Sequence, residues 1–480
     1  MRITKRPMRD GQDGYIMIAV IVFASISALM ITSFMGLVST SIKASREEAQ
    51  REQAIEIAEA GSDYYRWHLA HVQQDFQDGT GHAGPYVHNY YDKDGDILGT
   101  FTLTITPPPA GSTIVTILSV GKVTANPAIQ RKIETKLAIP SLAKYAVVAN
   151  DNMRFGAGTE VFGPIQSNGG IHFDGLAHNV ISSAQNQYVD PDTGVNEWGV
   201  YTQVSPADPH PNTAQPAHAD VFQAGRQFPV PAVDFTGLTT NLAQIKTNAQ
   251  TASGIYLASS GALGYHLVLK TNGSFDLYRV SSLQAAPNGC TNDAAQTNWG
   301  TWSIRAGGES FIRNYVFPAN GQVFVEDNAW VDGQINQARV TIASGRFPDN
   351  PATRTSITVN NNLTYTNYDG RDTLSLIAQA DVNVGMVSQD TLRIDGALIA
   401  QNGRVGRYYY SNSCSSYGVR TSLTLDGMIG TNLRYGFAYT DGTGYQTRSL
   451  IYDANLLYGP PPAFPLTSNQ YSTISWREIK

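Results

Sequence analysis

The chain has 480 residues, of which 15% are charged, and a net charge of −6 at pH 7. This length exceeds one ordinary domain and is enough to bury a sizeable core. The low charged fraction, against a usual ~25%, and the 44 glycines and 25 tyrosines are typical of an exported protein rich in β-structure. No basic block follows the N-terminal segment, which excludes the charge pattern of a nucleic-acid-binding protein.

A basic N-terminal segment precedes a long apolar run. The cations are Arg2, Lys5, Arg6 and Arg9, and residues 15–38 carry no charge. At about 1.5 Å rise per residue, this run is long enough to cross a hydrocarbon core of roughly 30 Å as a helix. The cations predict a cytoplasmic N-terminus and a single-pass membrane protein whose bulk lies outside.

The helix is expected to continue beyond the membrane. Residues 39–76 contain no Pro and are rich in helix formers such as Ala, Glu and Arg. One helix of about 60 residues would be roughly 90 Å long. Gly36 is the only glycine between Tyr15 and Glu59, which predicts that any local bend or melting centres there.

The order of basic leader, Gly14, Tyr15 and apolar helix resembles the class III signal of type IV pilins and type II secretion pseudopilins. In that family a prepilin peptidase cuts after the glycine and the new N-terminus is methylated. The resemblance therefore implies a leader at 1–14 and a cut between Gly14 and Tyr15. It also implies other pilins as partners through the helix, the inner membrane before assembly, and an extracellular filament at the cell surface afterwards.

A second motif narrows the resemblance. The run Ala58-Glu59-Ala60-Gly61 is similar to the signature of PilX-type pilus assembly proteins, a minor-pilin family, and the likeness covers residues 11 to about 76. Major pilins carry Glu five residues after the cut, whereas this chain has Ala19. Since that Glu neutralises a neighbour's N-terminal amine in an apolar filament core, its absence implies a filament tip or a rare subunit. The alternative is a membrane anchor that never polymerises.

Alternating apolar residues predict strands after the helix. Residues 100–106, 112–120 and 129–139 follow this pattern, so we expect a small pilin-like β-meander head at 77–140. The acidic stretches at 92–96 and 190–194 faintly resemble calcium loops, but hairpin turns are favoured because the required ligand pattern is incomplete.

The remaining chain contains a repeat of apolar, any, apolar, Asp, Gly. Its Asp-Gly pairs are Asp174-Gly175, Asp332-Gly333, Asp395-Gly396 and Asp426-Gly427. Short strands joined by Asp-Gly turns predict a parallel β-solenoid, in which each coil buries its apolar face by stacking on the next. We expect coils at 141–204 and 318–451, an inserted linker, helix and strands at 205–317, and an extended C-terminal cap at 452–480. A β-sandwich with Asp-Gly hairpins is the alternative fold.

The fold class predicted is thus mainly β with one long N-terminal α-helix. Cys290 and Cys414 form an even pair in an exported chain, so they are either joined or two unrelated thiols. The repeated aspartates suit turns on backbone grounds, the histidines lack metal-ligand spacing, and no nucleophile or phosphate-binding motif is present. We therefore expect no catalytic residue, no metal site and no cofactor.

The function predicted is a structural minor pilin or pseudopilin, with a large β-rich exterior used for binding a surface or glycan ligand. The sequence leaves the ligand open, and it leaves type IV pilus and type II secretion system as alternatives. The rival hypothesis is a membrane-anchored β-helix protein that binds glycans or degrades polysaccharides.

Overall fold

The computed structural model describes residues 13–109 and 111–479, with the backbone alone at 13, 14 and 236–241. These residues fall into two compact units. The helix–sheet unit takes the chain up to Pro107, Val115–Leu137 and the tail from Gln470. The solenoid unit takes Pro108–Ile114 and Ala138–Asn469. The fold is mainly β with one long N-terminal helix, which confirms the predicted class.

The elements follow in chain order. They are α1 (Asp13–His71), β1 (Tyr86–Tyr91), β2 (Ile97–Thr106), β3 (Val115–Val123), β4 (Asn126–Ala138), β5 (Val147–Ala149), β6 (Met153–Phe155), β7 (Thr159–Phe162), β8 (Ile165–Ser167), β9 (Ile171–Phe173), β10 (Leu176–Ala177), β11 (Ile181–Ser183), β12 (Gln187–Val189), β13 (Asn196–Trp198), β14 (Val200–Tyr201), β15 (Arg226–Gln227), α2 (Thr236–Ala249), β16 (Ile255–Leu257), β17 (Gly264–Lys270), β18 (Ser274–Val280), β19 (Glu309–Val316), β20 (Gln322–Val325), β21 (Ala329–Ile335), β22 (Arg339–Ser344), β23 (Ile357–Thr358), β24 (Leu363–Tyr365), β25 (Thr373–Ala378), β26 (Val382–Val384), β27 (Thr391–Ala400), β28 (Val405–Arg407), β29 (Val419–Thr431), β30 (Gly444–Tyr452) and β31 (Ser472–Ile479). Short 3₁₀ helices lie at Leu142–Lys144, Pro351–Thr353, Asn412–Tyr417 and Ala454–Leu456.

The helix α1 runs unbroken for 59 residues. It ends at His71, earlier than the predicted residue 76, because Asp75 organises the exit from the helix. The Asp75 carboxylate accepts hydrogen bonds from Gln77 N and Gly79 N, and its Oδ2 lies 2.8 Å from His68 Nε2. A carboxylate that bonds nearby amides in this way competes with helical hydrogen bonding.

A five-stranded sheet packs against the second half of α1, in the order β1-β2-β3-β4-β31. The pairings between β1, β2, β3 and β4 are antiparallel. The buried face of α1 presents Ala54, Ile57, Ala58, Tyr65 and Leu69 to this core. Ion pairs of Arg131 with Glu478, and of Arg477 Nη2 with Glu134 Oε1 at 2.7 Å, join β4 to β31. The sequence prediction missed the outer strands β1 and β31.

Apart from the antiparallel pairs β12–β13, β17–β18 and β18–β19, the solenoid unit is built from parallel strands that stack as coils with three faces. On face 1, aliphatic side chains stand directly above one another, in the register Ile255, Val323, Ile342, Leu376, Leu398, Ile429, Val147, Ile165, Ile181. From Val323 to Ile181 each is buried to within 1% exposure. Since neighbouring coils pair in parallel, the alternative sandwich of hairpins does not describe this unit.

Faces 2 and 3 continue each coil. Face 2 contains β17, β21, β23, β26 and β28. It also contains β6, β9 and β14, which pair with one another as a separate three-stranded sheet. Face 3 contains β24, β30, β7 and β10 with the first halves of β27 and β29 and the end of β21. The strands β21, β27 and β29 therefore bend at a corner and contribute to two faces each.

The coils do not stack in the order of the sequence. Strand β5 pairs with β29, so the coil at 147–149 follows the coil at 429–431. From β5 the chain winds outward to β15, and it begins again at the other end of the stack with β16. The return path includes α2, whose Leu242, Ile245 and Ala249 are buried with face 1 residues such as Phe324. The stack has one continuous apolar core. Coils that are adjacent in this core, such as those at 147–149 and 429–431, can be far apart in the sequence.

Two of the predicted boundaries differ from the structure. Residues 205–317, predicted as an insert, contain the two terminal coils of the stack, because β15 pairs with β11 and β16 pairs with β20. The tail 452–480, predicted as a cap, divides between the units. Leu456 and Phe464 pack in the outer layer of face 1, whereas β31 joins the helix–sheet unit. Both predictions were wrong because the sequence does not indicate which strands pair with β15, β16 and β31.

Candidate functional site

The first half of α1 forms an apolar surface that the described part of the chain leaves uncovered. Every large apolar side chain from Tyr15 to Val38 is exposed, with fractions between 38% and 79%. The polar side chains within this stretch are satisfied by the helix itself: Ser25 Oγ donates to Ile21 O and Thr32 Oγ1 donates to Ala28 O. Such internal hydrogen bonds remove the cost of placing hydroxyls in an apolar medium. By length and composition this helix suffices to cross a membrane.

Three features predicted from the sequence lie on this surface or next to it, namely the cut after Gly14, the residue Ala19 and the glycine at position 36. The leader at 1–14 lies outside the described residues up to position 12, while Gly14 and Tyr15 belong to the first turns of α1. Ala19 is exposed, so no charged group stands at the position that carries Glu in the resembled family. At Gly36 the helix continues without a break, and an added Cβ would meet no atom of a described residue within 4 Å.

The signature Ala58-Glu59-Ala60-Gly61 lies where α1 comes close to its sheet. Ala58 is fully buried, and a Cβ added at Gly61 would lie 2.4 Å from Ser119 Oγ. A Cβ added at Gly121, on β3, would lie 2.1 Å from Ala54 O. Small residues on both partners thus allow helix and sheet backbones to approach, which gives the signature a packing role.

The Asp-Gly repeats occupy corners of the solenoid at two different places. Asp395-Gly396 and Asp426-Gly427 lie between face 3 and face 1, and these two pairs stack in register. Asp174-Gly175 and Asp332-Gly333 lie between face 2 and face 3, in separate coils. The four aspartates therefore do not form one column of carboxylates.

Arg393 bridges the two stacked aspartates. Its Nε lies 2.8 Å from Asp395 Oδ1 and its Nη2 lies 3.0 Å from Asp426 Oδ2. Asp395 is fully buried and also accepts hydrogen bonds from Tyr365 N and Tyr368 Oη. Burial raises the pKa of Asp395, and burial together with the Asp395 charge raises the pKa of Asp426 to about 6. We call these residues the arginine–aspartate corner.

A second ionisable cluster surrounds His172, which is 1% exposed. Its Nε2 lies 2.8 Å from Asp174 Oδ2 and its Nδ1 lies 3.2 Å from Asp190 Oδ2. His172, Asp190 and Asp192 are close enough to share a cation. Asp192, however, is already paired at 2.9 Å with Arg154 Nη1 and at 2.6 Å with Arg434 Nη2, and these two arginines keep its pKa well below the usual range. A group whose carboxylate is neutralised by two guanidinium ions is a poor metal site.

The structure joins Cys290 to Cys414, whose Cα atoms are 4.4 Å apart. Cys414 packs with the buried Tyr408 and Tyr410, and the partly buried Trp299 and Trp302 lie against this cluster. The disulfide therefore fastens the long connection between β18 and β19 to the 3₁₀ helix at Asn412–Tyr417.

Sequence reasoning missed the cluster around His266. This side chain lies between Glu309 and Asp332, with Nδ1 2.7 Å from Glu309 Oε2 and Nε2 3.1 Å from Asp332 Oδ2. Burial lowers its pKa, but the hydrogen bonds with Asp332 and Glu309 outweigh burial and raise the pKa to about 9. Only the Asp-Gly motif at 332 pointed to this region of the chain.

No family model matches the chain, and no curated protein matches it. Among solved structures, it is similar to the crystal structure of the competence-associated pilin ComZ from Thermus thermophilus. The sequence identity is 12%, the similarity covers 90% of this chain and 98% of that chain, and the TM-score is 0.30. A similarity at this level shows neither family nor function.

Proposed function

We propose that the protein is a minor subunit of a type IV pilus-like filament, held first in the inner membrane and then in the filament by α1. The observation that carries the proposal is the division of α1 into two halves. Residues 15–38 are apolar and exposed, whereas the face from Ala54 to Leu69 is buried by the sheet. An exposed apolar surface of this extent requires a covering medium, either lipid or other helices.

The processing site and Ala19 refine the proposal. Removal of the leader by a prepilin peptidase would free a helix that begins at Tyr15, without the cations of residues 2–9. The lack of a carboxylate at Ala19 supports a rare or terminal position, because such a subunit cannot neutralise a neighbour's amine. Methylation of the new N-terminus and the choice between pilus and secretion pseudopilus belong to the same proposal.

The test uses a tagged full-length chain in cells that carry type IV filaments and their prepilin peptidase. We expect the protein in the filament fraction sheared from cells, as a small proportion of the subunits. An Ile26→Asp variant places a charge in the exposed apolar surface and should be lost from filaments, whereas Glu59→Gln on the exposed side of the sheet-packed half should be retained. Wild-type protein that stays entirely in the membrane of filament-bearing cells would contradict the proposal.

We further propose that the solenoid unit binds a ligand and that its arginine–aspartate corner performs no catalysis. A glycosidase mechanism needs two carboxyl groups that reach opposite sides of the bond to be cleaved. In the arginine–aspartate corner, Asp395 is fully buried and already bonded by Tyr365, Tyr368 and Arg393. Asp426 remains partly exposed, but the buried Asp395 is not accessible to act with it as the second carboxylate of such a pair. Cleavage of a polysaccharide by the wild type that Asp426→Asn abolishes would instead support the enzyme hypothesis.

A further inference from the structure

A polar cavity lies where His266, Glu309 and Asp332 meet the connection between β18 and β19. Its volume is 320 Å³, and its walls include Arg305, Asn361 and Val387. This volume lies at the lower end of the roughly 300–1,000 Å³ found for small-molecule sites. The cavity therefore suits a ligand of one or two rings.

The floor of the cavity is fixed before any ligand arrives. His266 is 9% exposed and holds one oxygen of each carboxylate, Glu309 Oε2 and Asp332 Oδ2. Asn361 Nδ2 donates to the same Asp332 oxygen at 2.7 Å. The other oxygens, Glu309 Oε1 and Asp332 Oδ1, accept no hydrogen bond from the described part of the chain. Two carboxylate oxygens are thus oriented and free to accept.

The wall of the cavity is also anchored. The carbonyl of Trp302 accepts hydrogen bonds from Trp330 Nε1 at 3.0 Å and from Asn360 Nδ2 at 2.7 Å. Val387 N donates to Ser303 Oγ at 2.9 Å, and the Cys290–Cys414 disulfide fastens the same connection further along. These contacts hold the wall against the solenoid, so the cavity does not need to form around a ligand.

The charges of the cavity balance. Glu309 and Asp332 are carboxylates, His266 is a cation at neutral pH because its pKa is raised to about 9, and Arg305 is an exposed cation whose guanidinium pairs with no described residue. A balanced set gives no net attraction for a charged ligand. The cavity instead suits a ring that carries hydroxyl groups. The two carboxylate oxygens and Arg305 match the hydroxyls, and the apolar Ile304 and Val387 match the C–H groups of the ring.

We propose that this cavity binds a neutral saccharide of one or two rings. The inference rests on the binding role proposed above for the solenoid unit and names its site. The hydroxyls of the sugar donate to Glu309 Oε1 and Asp332 Oδ1, and Arg305 donates to a hydroxyl oxygen. Ile304 and Val387 contact the C–H face of the ring.

The experiment titrates the full-length, detergent-solubilised protein with glucose, galactose, N-acetylglucosamine and lactose, observed by saturation-transfer NMR. We expect at least one of them to bind, and Asp332→Asn to weaken it about tenfold, since a hydrogen bond to a charged acceptor is replaced by a weaker one to a neutral acceptor. Asp174→Asn is the matched control, because Asp174 occupies the same type of corner and also pairs with a histidine. It should leave binding unchanged.

A second variant guards against misfolding of the first. Arg305 is exposed and its guanidinium has no partner among the described residues, so Arg305→Ala should preserve the thermal melt and still weaken sugar binding several-fold. Binding of none of the four sugars, equal binding by Asp332→Asn and wild type, or binding of glucuronate in preference to every neutral sugar would overturn the inference. Recovery of Asp332→Asn in sheared filaments tests the filament role separately, since that assay does not depend on the sugar.

Discussion

At the scale of single residues, the Asp-Gly pairs show how a repeated motif serves a corner. Gly396 and Gly427 have φ of +142° and +152°, values that residues with a Cβ rarely adopt. Gly333 has φ of +107°. Gly175 is constrained by space, because a Cβ there would lie 2.3 Å from Thr159 O. In each pair, the glycine position therefore tolerates substitution less well than the aspartate position.

The loss of stability on substitution of these glycines should be larger where a Cβ has less space. A Cβ at Gly427 would lie 2.0 Å from Gly396 O, and one at Gly396 would lie 2.9 Å from Leu374 O. We expect Gly427→Ala to lower the free energy of unfolding by roughly 2–3 kcal/mol or more, and Gly396→Ala by less. Gly396→Val should cost more than Asp395→Asn, which keeps its acceptor for Tyr365 N. Denaturant unfolding of the four variants measures this order, and equal midpoints for all four would contradict it.

Asp426 makes the arginine–aspartate corner sensitive to pH. Its pKa rises from 3.8 when unfolded to about 6 when folded, so the folded state binds the proton more tightly. The stability from this group is fully present below pH 3.8 and is lost as the pH rises through about 6. We therefore expect Asp426→Asn to gain thermal stability relative to the wild type between pH 4 and pH 7. Melting curves at both values measure the gain, and a constant difference would show that the pKa is not raised.

At the scale of elements, α1 combines a free half and a packed half in one continuous helix. Gly36 lies in the free half, where no described residue packs against it. Its Thr40 neighbour donates Oγ1 to Gly36 O at 3.1 Å, a bond that an alanine would preserve. The local stability of the helix at this point depends on helix propensity more than on contacts.

Gly36→Ala should stiffen this part of the helix by about 1 kcal/mol. Hydrogen exchange of the detergent-solubilised protein should slow for amides around position 36, and membrane insertion should not change. Thr32→Val is a suitable comparison, because it removes a hydroxyl from the same stretch while valine and threonine have nearly equal helix propensities. Equal exchange in Gly36→Ala and wild type would show that the helix is not weakest there.

The elements also show what sequence patterns contain and what they lack. The helix was predictable because residues 15–38 lack charge and residues 39–71 lack Pro. The repeated Asp-Gly pairs indicated coils. A three-residue strand such as β5 is too short for its sequence to identify the strand it pairs with, so the pairing of Val147 with Ile429 could not be predicted. The His266 cluster was missed because Glu309 and Asp332 lie 43 and 66 residues away in sequence.

At the scale of the whole molecule, processing should yield a mature chain that begins at Tyr15. The leader cations would otherwise enter the apolar surroundings of α1, where an unpaired charge costs several kcal/mol. Mass spectrometry of protein from filaments should therefore find Tyr15 as the N-terminal residue, with a methylated amine. A Gly14→Asp variant should retain the leader and stay in the membrane. An intact leader in filaments would refute this expectation.

Strand β31, which is made last, lies in the same sheet as strands that are made early. This strand, at 472–479, completes the sheet that covers α1, although the residues of the solenoid unit lie between it and β4 at 126–138. During synthesis the sheet gains its fifth strand only after all the residues in between have been made. A ribosome that stops early, or a protease that removes the tail, leaves β4 with an open edge and without the partners of Arg131 and Glu134. Closure of this sheet edge beside α1 therefore depends on a strand that is made after the solenoid unit.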